Sequence, residues 1–390
     1  MKKTAALTLP LALAMLGVAG AARAQGSVTL YGMIDESVQY VHNTISGTNS
    51  LGLASSNISG TRWGLRGTEA LNDDLSVVFR IENGFDPNTG HFNQKGRLFG
   101  RQSRIGLQSN RYGALTFGRQ YDPLVDLIQP MTGDDPGGSA FTTPGDVDNN
   151  DDSSRAGNSV RYTSPALKGF QFAALYGFGN VPGHLGAGQT WAGAAAYAFG
   201  PFSAAAGYFH ATSSAPPGGA WSGSSSGNFD GGANVPVDNY VNGPFITARS
   251  WRVAAAAVQY QCAPWRFSLR YSNVAYQPGA ALAASFRTAQ RYHVMGALAE
   301  YRIMPDWRLA AGYIFMRGSG SGAAQTWHQA SFGADYWLSK QTDLYLLAAW
   351  QHASGHYGDG APNVASIGDY GYGSNASHQE IVSLGMRHRF

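Results

Sequence analysis

Apolar and polar positions alternate along most of this chain. Val77, Phe79, Ile81 and Phe85 alternate with Val78, Arg80, Glu82 and Gly84. Trp265, Phe267, Leu269 and Tyr271 alternate with Arg266, Ser268, Arg270 and Ser272. Trp307, Leu309, Ala311, Tyr313 and Phe315 share one parity, and so do Leu344, Leu346, Ala348 and Trp350. A period of two places alternate side chains on opposite faces, so these segments read as strands with one apolar face. Beyond the first two dozen residues, no apolar run is long enough for a membrane-spanning helix.

Turn signals divide the strands in a regular way. Short turns are expected at 72–74, 109–111, 165–168, 200–201, 263–264, 304–306 and 339–341. Between them lie longer Gly-rich polar connections at 44–57, 87–95, 121–157, 179–188, 213–247, 277–289, 318–325 and 354–378. Seven short turns alternating with eight long loops imply sixteen strands joined as antiparallel hairpins. A soluble sandwich has no need for all its long loops at one end. A transmembrane barrel of the outer-membrane type has that asymmetry, with aromatic girdles at both interfaces. Phe199, Phe202, Tyr260, Trp265, Tyr301, Trp307, Tyr336 and Trp337 fall at strand ends near the short turns. Closure also satisfies every strand edge, as a bilayer demands. The mean hydropathy of −0.21 fits this reading, because an inward polar face dilutes the apolar one.

The N-terminus carries Lys2 and Lys3, an apolar run over 5–22, and Ala22-Arg23-Ala24. This is the pattern of a cleaved signal peptide over 1–24, leaving a barrel of residues 25–390. Removing Lys2, Lys3 and Arg23 from the 27 basic residues leaves 24, equal to the 24 acidic ones. The formal charge of +3 therefore belongs to the signal peptide, and nucleic acid is not an expected partner. The single cysteine, Cys262, excludes an intrachain disulfide.

The segment 121–157 stands apart. It holds eight aspartates, Asp122, Asp126, Asp134, Asp135, Asp146, Asp148, Asp151 and Asp152, and its only basic residue is Arg155. Loops of this length are usually functional or disordered. The preceding segments carry Arg62, Arg66, Arg80, Arg97, Arg101, Arg104 and Arg119, so an acidic loop against a basic wall is expected to make a charged constriction. Parity turns Arg62 and Arg66 away from Trp63 and Leu65, and Arg80 and Glu82 away from Phe79 and Ile81. It likewise sets Arg104 inside, against outward Ile105 and Leu107. Arg97 and Arg101 share parity with Phe99, which suggests a bulge or a subunit interface. Arg119 shares parity with Leu115 and Phe117 and so reads as outward. Arg266, Arg270, Arg308, Arg387 and Arg389 read as inward, where ordinary lumen solvation also accounts for them.

Several stretches together resemble the Gram-negative general porins, most closely the trimeric porins of beta-proteobacteria. They are Val28-Thr-Leu-Tyr-Gly-Met-Ile-Asp-Glu-Ser-Val-Gln39, Thr61-Arg-Trp-Gly-Leu-Arg-Gly-Thr-Glu69 and Phe79-Arg-Ile-Glu-Asn-Gly-Phe85. Arg97-Leu-Phe-Gly-Arg-Gln102, Phe117-Gly-Arg-Gln-Tyr-Asp-Pro123 and the terminal Leu384-Gly-Met-Arg-His-Arg-Phe390 continue the match. The resemblance implies an all-β, sixteen-stranded antiparallel transmembrane β-barrel that forms a homotrimer, with its third external loop folded inward. By loop order that loop is 121–157. The resemblance also implies that Arg62, Arg119 and Arg155 face the loop, with a bulge correcting the parity of Arg119. The expected constriction wall is thus Arg62, Arg66, Arg80, Glu82, Arg104, Arg119 and Arg155, opposed by Asp122, Asp126, Asp134 and Asp135. Met33 and the long 213–247 loop depart from some relatives.

The implied function is passive diffusion of small hydrophilic solutes and ions across the outer membrane, with an anion preference. Outer-membrane lipid and lipopolysaccharide are expected partners. Phe390 is expected to address the chain to the barrel insertion machinery. Rival readings are a barrel enzyme and a surface adhesin or receptor. Against an enzyme, the ten histidines are dispersed and none pairs with a nucleophile at a recognisable spacing. The aspartate spacing of the loop is not that of an EF-hand, so no metal and no cofactor are expected.

Overall fold

The computed structural model describes residues 26–184, 186–213, 229–231, 241, 245, 248–279, 286–368 and 373–390. The expected signal peptide and much of the 213–247 loop lie outside the described residues. Before the long loop come β1 (Ser27–His42), the short β2 (Ser50–Ser55), β3 (Arg62–Ala70), β4 (Leu75–Gly84), β5 (Gln102–Ser109) and β6 (Gly113–Gln120). After it come β7 (Ser154–Thr163), β8 (Phe170–Gly177), β9 (Thr190–Phe199), β10 (Phe202–Thr212) and the three-residue β11 (Phe229–Gly231). The chain then runs through β12 (Ser250–Cys262), β13 (Trp265–Gln277), β14 (Gln290–Met304) and β15 (Trp307–Gly320). It ends with β16 (Ala323–Trp337), β17 (Thr342–His356) and β18 (His378–Arg389).

Every pairing is antiparallel, and β1 pairs with β18 to close the ring. The other edge of β1 is shared. Its first half pairs with β3, from Ser27↔Thr68 to Met33↔Arg62, and its second half with β2, from Glu36↔Ser55 to Val41↔Ser50. β2 and β3 are thus one stave interrupted over 56–61, and β11 is a small addition to β7. Without β2 and β11, sixteen strands form the closed barrel that the hairpin count predicts.

The period-two pattern sets the faces. Val38, Leu269 and Leu384 are each more than half exposed, while their neighbours Gln39, Ser268 and Ser383 on the opposite parity are buried. Aromatic rings pair across strands at the short-turn end: Phe202 with Tyr260 (4.7 Å between centroids), Trp265 with Tyr301 (4.5 Å) and Trp307 with Tyr336 (4.7 Å). Such offset pairs contribute about 0.5–1.5 kcal/mol each beyond their buried area.

One expected loop is corrected. Residues 318–325 are not a long connection, because β15 and β16 stay paired to Gly320↔Ala323. Ser321 (φ 50°) and Gly322 (φ 81°) make the tight turn, and two consecutive positive φ values suit the right-handed twist of a two-residue hairpin.

Candidate functional site

The segment between β6 and β7 begins with a capped helical turn. Asp122 accepts from Leu124 N at 2.8 Å, Pro123 takes the first helical position, and Leu124, Val125 and Leu127 are buried. Leu124 and Leu127 join a core with Ala192, Ala194, Ala205 and Phe209. Further along, Ala140 and Phe141 pack with Leu298, Ala310 and Leu347. Phe141 lies against Gly312, where an added Cβ would meet its ring at 2.6 Å.

Polar contacts tie the segment to the non-lipid parity of distant strands. Trp251 Nε1 donates to Val147 O (3.0 Å), and Gln329 Nε2 donates to Ala140 O (3.0 Å) and Thr142 O (3.2 Å). Arg270 pairs with Asp148 (3.0 Å) and donates to Thr143 Oγ1 (2.8 Å), and Ser272 also donates to Asp148. Asp135 lies 3.3 Å from Arg266 and 3.8 Å from Arg308. Asp126 pairs with Arg161.

A cavity of about 870 Å³ opens beside this segment. Arg62, Arg101, Arg155, Arg308, Arg387 and Arg389 line it, as do Asp86, Asp134, Asp135, Asp151 and Asp152. Arg101 donates to Glu82 (2.9 Å) and to the Tyr121 hydroxyl (2.7 Å), and its guanidinium lies 3.6 Å from Asp152. Arg155 pairs with Asp152 at 2.6 Å and sits 4.9 Å from the Tyr121 ring centre. Tyr121 therefore wedges two guanidiniums apart and bonds both. Across the cavity, Asp343 holds Arg387 (3.0 Å) and Arg389 (2.8 Å).

The sequence-predicted residues divide accordingly. Arg62, Arg155, Asp134 and Asp135 line the cavity. Arg66, Arg80 and Glu82 share the parity of Arg62 but gather around Tyr31, with both guanidiniums over its ring (5.3 and 5.0 Å) and its hydroxyl donating to Glu82 (2.7 Å). Arg104 bonds Gln102 (3.2 Å), four register positions along from the Arg62 level. The pairing of β6 with β7 does shift between Gly118 and Gln120. Even so, the Arg119 guanidinium donates to Gly100 O (2.6 Å) and Arg155 O (3.5 Å), away from the cavity lining. Asp122 is spent as a helix cap and Asp126 on Arg161. Arg101, which parity left to a bulge or a subunit interface, lines the cavity. It precedes β5, so the alternation of that strand does not reach it, and the backbone turns its side chain onto Glu82.

Burial shifts three loop acids. It pushes the Asp122 carboxyl up to about 6, against hydrogen bonds from Leu124 and Asn149 that lower it. Burial also pushes Asp151 up to about 6, with the Ser139 hydrogen bond opposing and the Asp152 charge assisting. Asp134 is raised well above the usual carboxylate range, by burial first and then by the negative charge of Asp151. Each of Asp134 and Asp151 feels the other's charge, which disfavours ionising both at once.

A closed ring of antiparallel strands, apolar outside and lined with opposed charges, is the architecture of a transmembrane β-barrel. Residues 7–356 match the Gram-negative porin family, and the chain belongs to it. An outer membrane porin of Bordetella pertussis is 40% identical over 186 residues, 44% of this chain and 48% of that protein. The chain spans about half the length of the curated relatives it matches, at 48% and 58% for two of them. An anion-selective porin from Comamonas acidovorans shares the fold with a TM-score of 0.73 and 21% identity, over 94% of this chain and all of that one. An outer membrane protein of Vibrio cholerae solved in a trimer form does so with a TM-score of 0.64 and 16% identity, over 94% and 99%.

Proposed function

We propose that this protein is an outer-membrane channel for passive diffusion of small hydrophilic solutes and ions, with a preference for anions. In this reading segment 121–157 folds into the lumen and narrows it, and the cavity between it and the wall is the constriction. The observation that carries the reading is the lining of that cavity. Six arginines from five places in the chain face five aspartates, and burial raises the carboxyls of two of those aspartates, Asp134 and Asp151. The balance is positive at neutral pH, and basic linings favour anions. Opposed charges across the gap also set up a transverse field that orients water and small zwitterions. The test is single-channel conductance of the refolded protein, with the zero-current potential read across a tenfold KCl gradient. A closed or potassium-preferring channel would contradict the respective halves of the proposal.

The same reading extends to assembly. The signal peptide over 1–24 exports the chain, and the apolar outward faces of β1, β5 and β6 are the surfaces on which three copies meet. Elsewhere the outward face contacts lipid and lipopolysaccharide, and Phe390 is read by the insertion machinery. Support comes from family membership and from the exposed apolar side chains of Val28, Leu30, Val38, Ile105 and Phe117 on these strands.

A further inference from the structure

We propose that His42, His378 and Glu380 form a binding site for a divalent transition-metal ion at the long-loop end of the barrel's closing seam. His42 ends β1, and His378 and Glu380 begin β18. In the seam His42 is the register partner of Glu380, and residues two apart on a strand share a face, so all three side chains project from one patch. A ligand atom from each lies within 4.8 Å of the other two. Among the described residues this is the one group of three such side chains so arranged.

Three details point to a metal rather than a plain ion pair. His42 Nε2 stands 3.9 Å from Glu380 Oε2. That is too long for a hydrogen bond, at about 2.9 Å. It is within a few tenths of an ångström of the roughly 3.4 Å that separates two ligands of a tetrahedral zinc bonded at about 2.0–2.1 Å. Second, His42 Nδ1 donates to Asn49 Oδ1 (2.7 Å), which leaves Nε2 as the lone-pair nitrogen facing the other two groups. Imidazole ligands are commonly fixed in this way by an outer hydrogen bond. Third, Glu380 Oε2 is shielded from solvent and, among the described residues, has no hydrogen-bond partner. The His378 ring centre lies 5.9 Å from that of His42, which leaves room for an ion between them.

Two imidazoles and one carboxylate select zinc or its neighbours over calcium and magnesium, which take all-oxygen shells. Water would complete the shell. The nearest further imidazole, His352, is the register partner of His378 on β17, but its ring stacks with Trp350. The ligands come from opposite ends of the chain and meet only when the ring closes. Zinc bound there stabilises the closed barrel over any open one.

The experiment is calorimetric titration of Zn²⁺ into the refolded, chelator-stripped barrel in detergent, at constant pH. The expected result is one Zn²⁺ per barrel with a micromolar dissociation constant. His42→Ala with His378→Ala should weaken it at least about 100-fold, Glu380→Gln about tenfold and Asn49→Ala a few-fold, in keeping with the effects of removing ligands and their supports. Excess Mg²⁺ or Ca²⁺ should not compete. Zinc should raise the unfolding temperature of wild type but not of the double variant. Should that variant fail to fold, single His42→Gln and His378→Gln substitutions serve in its place. Titration curves that coincide for wild type and the ligand variants, or competition by Mg²⁺, overturn the proposal.

Discussion

Arg62→Gln is the cleanest test of the charge balance in the proposed constriction. The Arg62 guanidinium lines the cavity, donates to Gly60 O (2.9 Å) and lies 3.9 Å from Glu82. Removing it leaves Glu82 still bonded to Arg101 (2.9 Å) and Tyr31 (2.7 Å), so no buried carboxylate is stranded. An ion passing about 6 Å from a unit charge in water feels about 0.7 kcal/mol. Screening with a Debye length of about 10 Å at 0.1 M roughly halves that. Chloride then loses about 0.4 kcal/mol and potassium gains as much. The chloride-to-potassium permeability ratio should fall by about 0.8 kcal/mol, or about fourfold on a scale where 1.4 kcal/mol is tenfold. Zero-current potentials of wild type and variant across a tenfold KCl gradient measure it. In 1 M salt the Debye length is about 3 Å, and the difference should nearly vanish. Arg104→Gln, off the cavity, should move the ratio less. A ratio unchanged by Arg62→Gln at 0.1 M, or a larger shift from Arg104→Gln, would refute the assignment of Arg62.

Other outcomes follow from the same geometry. Because burial raises the carboxyls of Asp134 and Asp151, they gain protons as pH falls from 7.5 to 5, so chloride preference should rise by a similar few-fold factor. Asp151→Asn should flatten that profile, and a flat wild-type profile would count against the raised carboxyls. Deleting 134–138 should raise sugar flux into proteoliposomes, and unchanged flux would remove 121–157 from the constriction. Sedimentation equilibrium in mild detergent should give a homotrimer; a monomer alone would contradict the interface on β1, β5 and β6. Deleting Phe390, whose ring covers Gly32, should lower outer-membrane yield while leaving the conductance of inserted channels intact. Normal yield with altered conductance would reverse that role.

How much of this was legible in the chain depends on the range of the interaction. Strand faces are local, so parity placed Arg62, Arg80 and Glu82 on one face without reference to the rest of the fold. Parity fails where a strand begins or shifts. Arg101 precedes β5 and lines the cavity, whereas the register slip after Gly118, itself at φ 125°, does not bring Arg119 onto the cavity lining that the resemblance implied. The tight turn at Ser321 and Gly322 was masked by a Gly/Ser-rich composition that reads equally as loop. Sequence gave no sign of the His42, His378 and Glu380 group, because its parts are over 330 residues apart and meet only across the seam.

The same distinction reconciles a loop so rich in aspartate with the anion preference proposed above. Composition counts charges, whereas permeation responds to the charges that face the water path. Asp122 caps a helical turn, and Asp126 pairs with Arg161. Asp146 accepts from Asp151 N (2.8 Å) and from the Ser153 hydroxyl (2.6 Å), and Asp148 is held by Arg270 and Ser272. Four of the eight are thus committed to building and anchoring the segment, in the way short acidic side chains commonly serve turns. Of the four at the cavity, Asp134 and Asp151 have carboxyls that burial raises, and Asp152 is paired with Arg155. Asp135 is the most open of these, and Arg266 and Arg308 flank it. Arg62 has only a carbonyl and a distant carboxylate to answer it. A segment that is strongly acidic in sequence therefore presents little uncompensated negative charge to the cavity, and on the proposed reading the arginines set the sign.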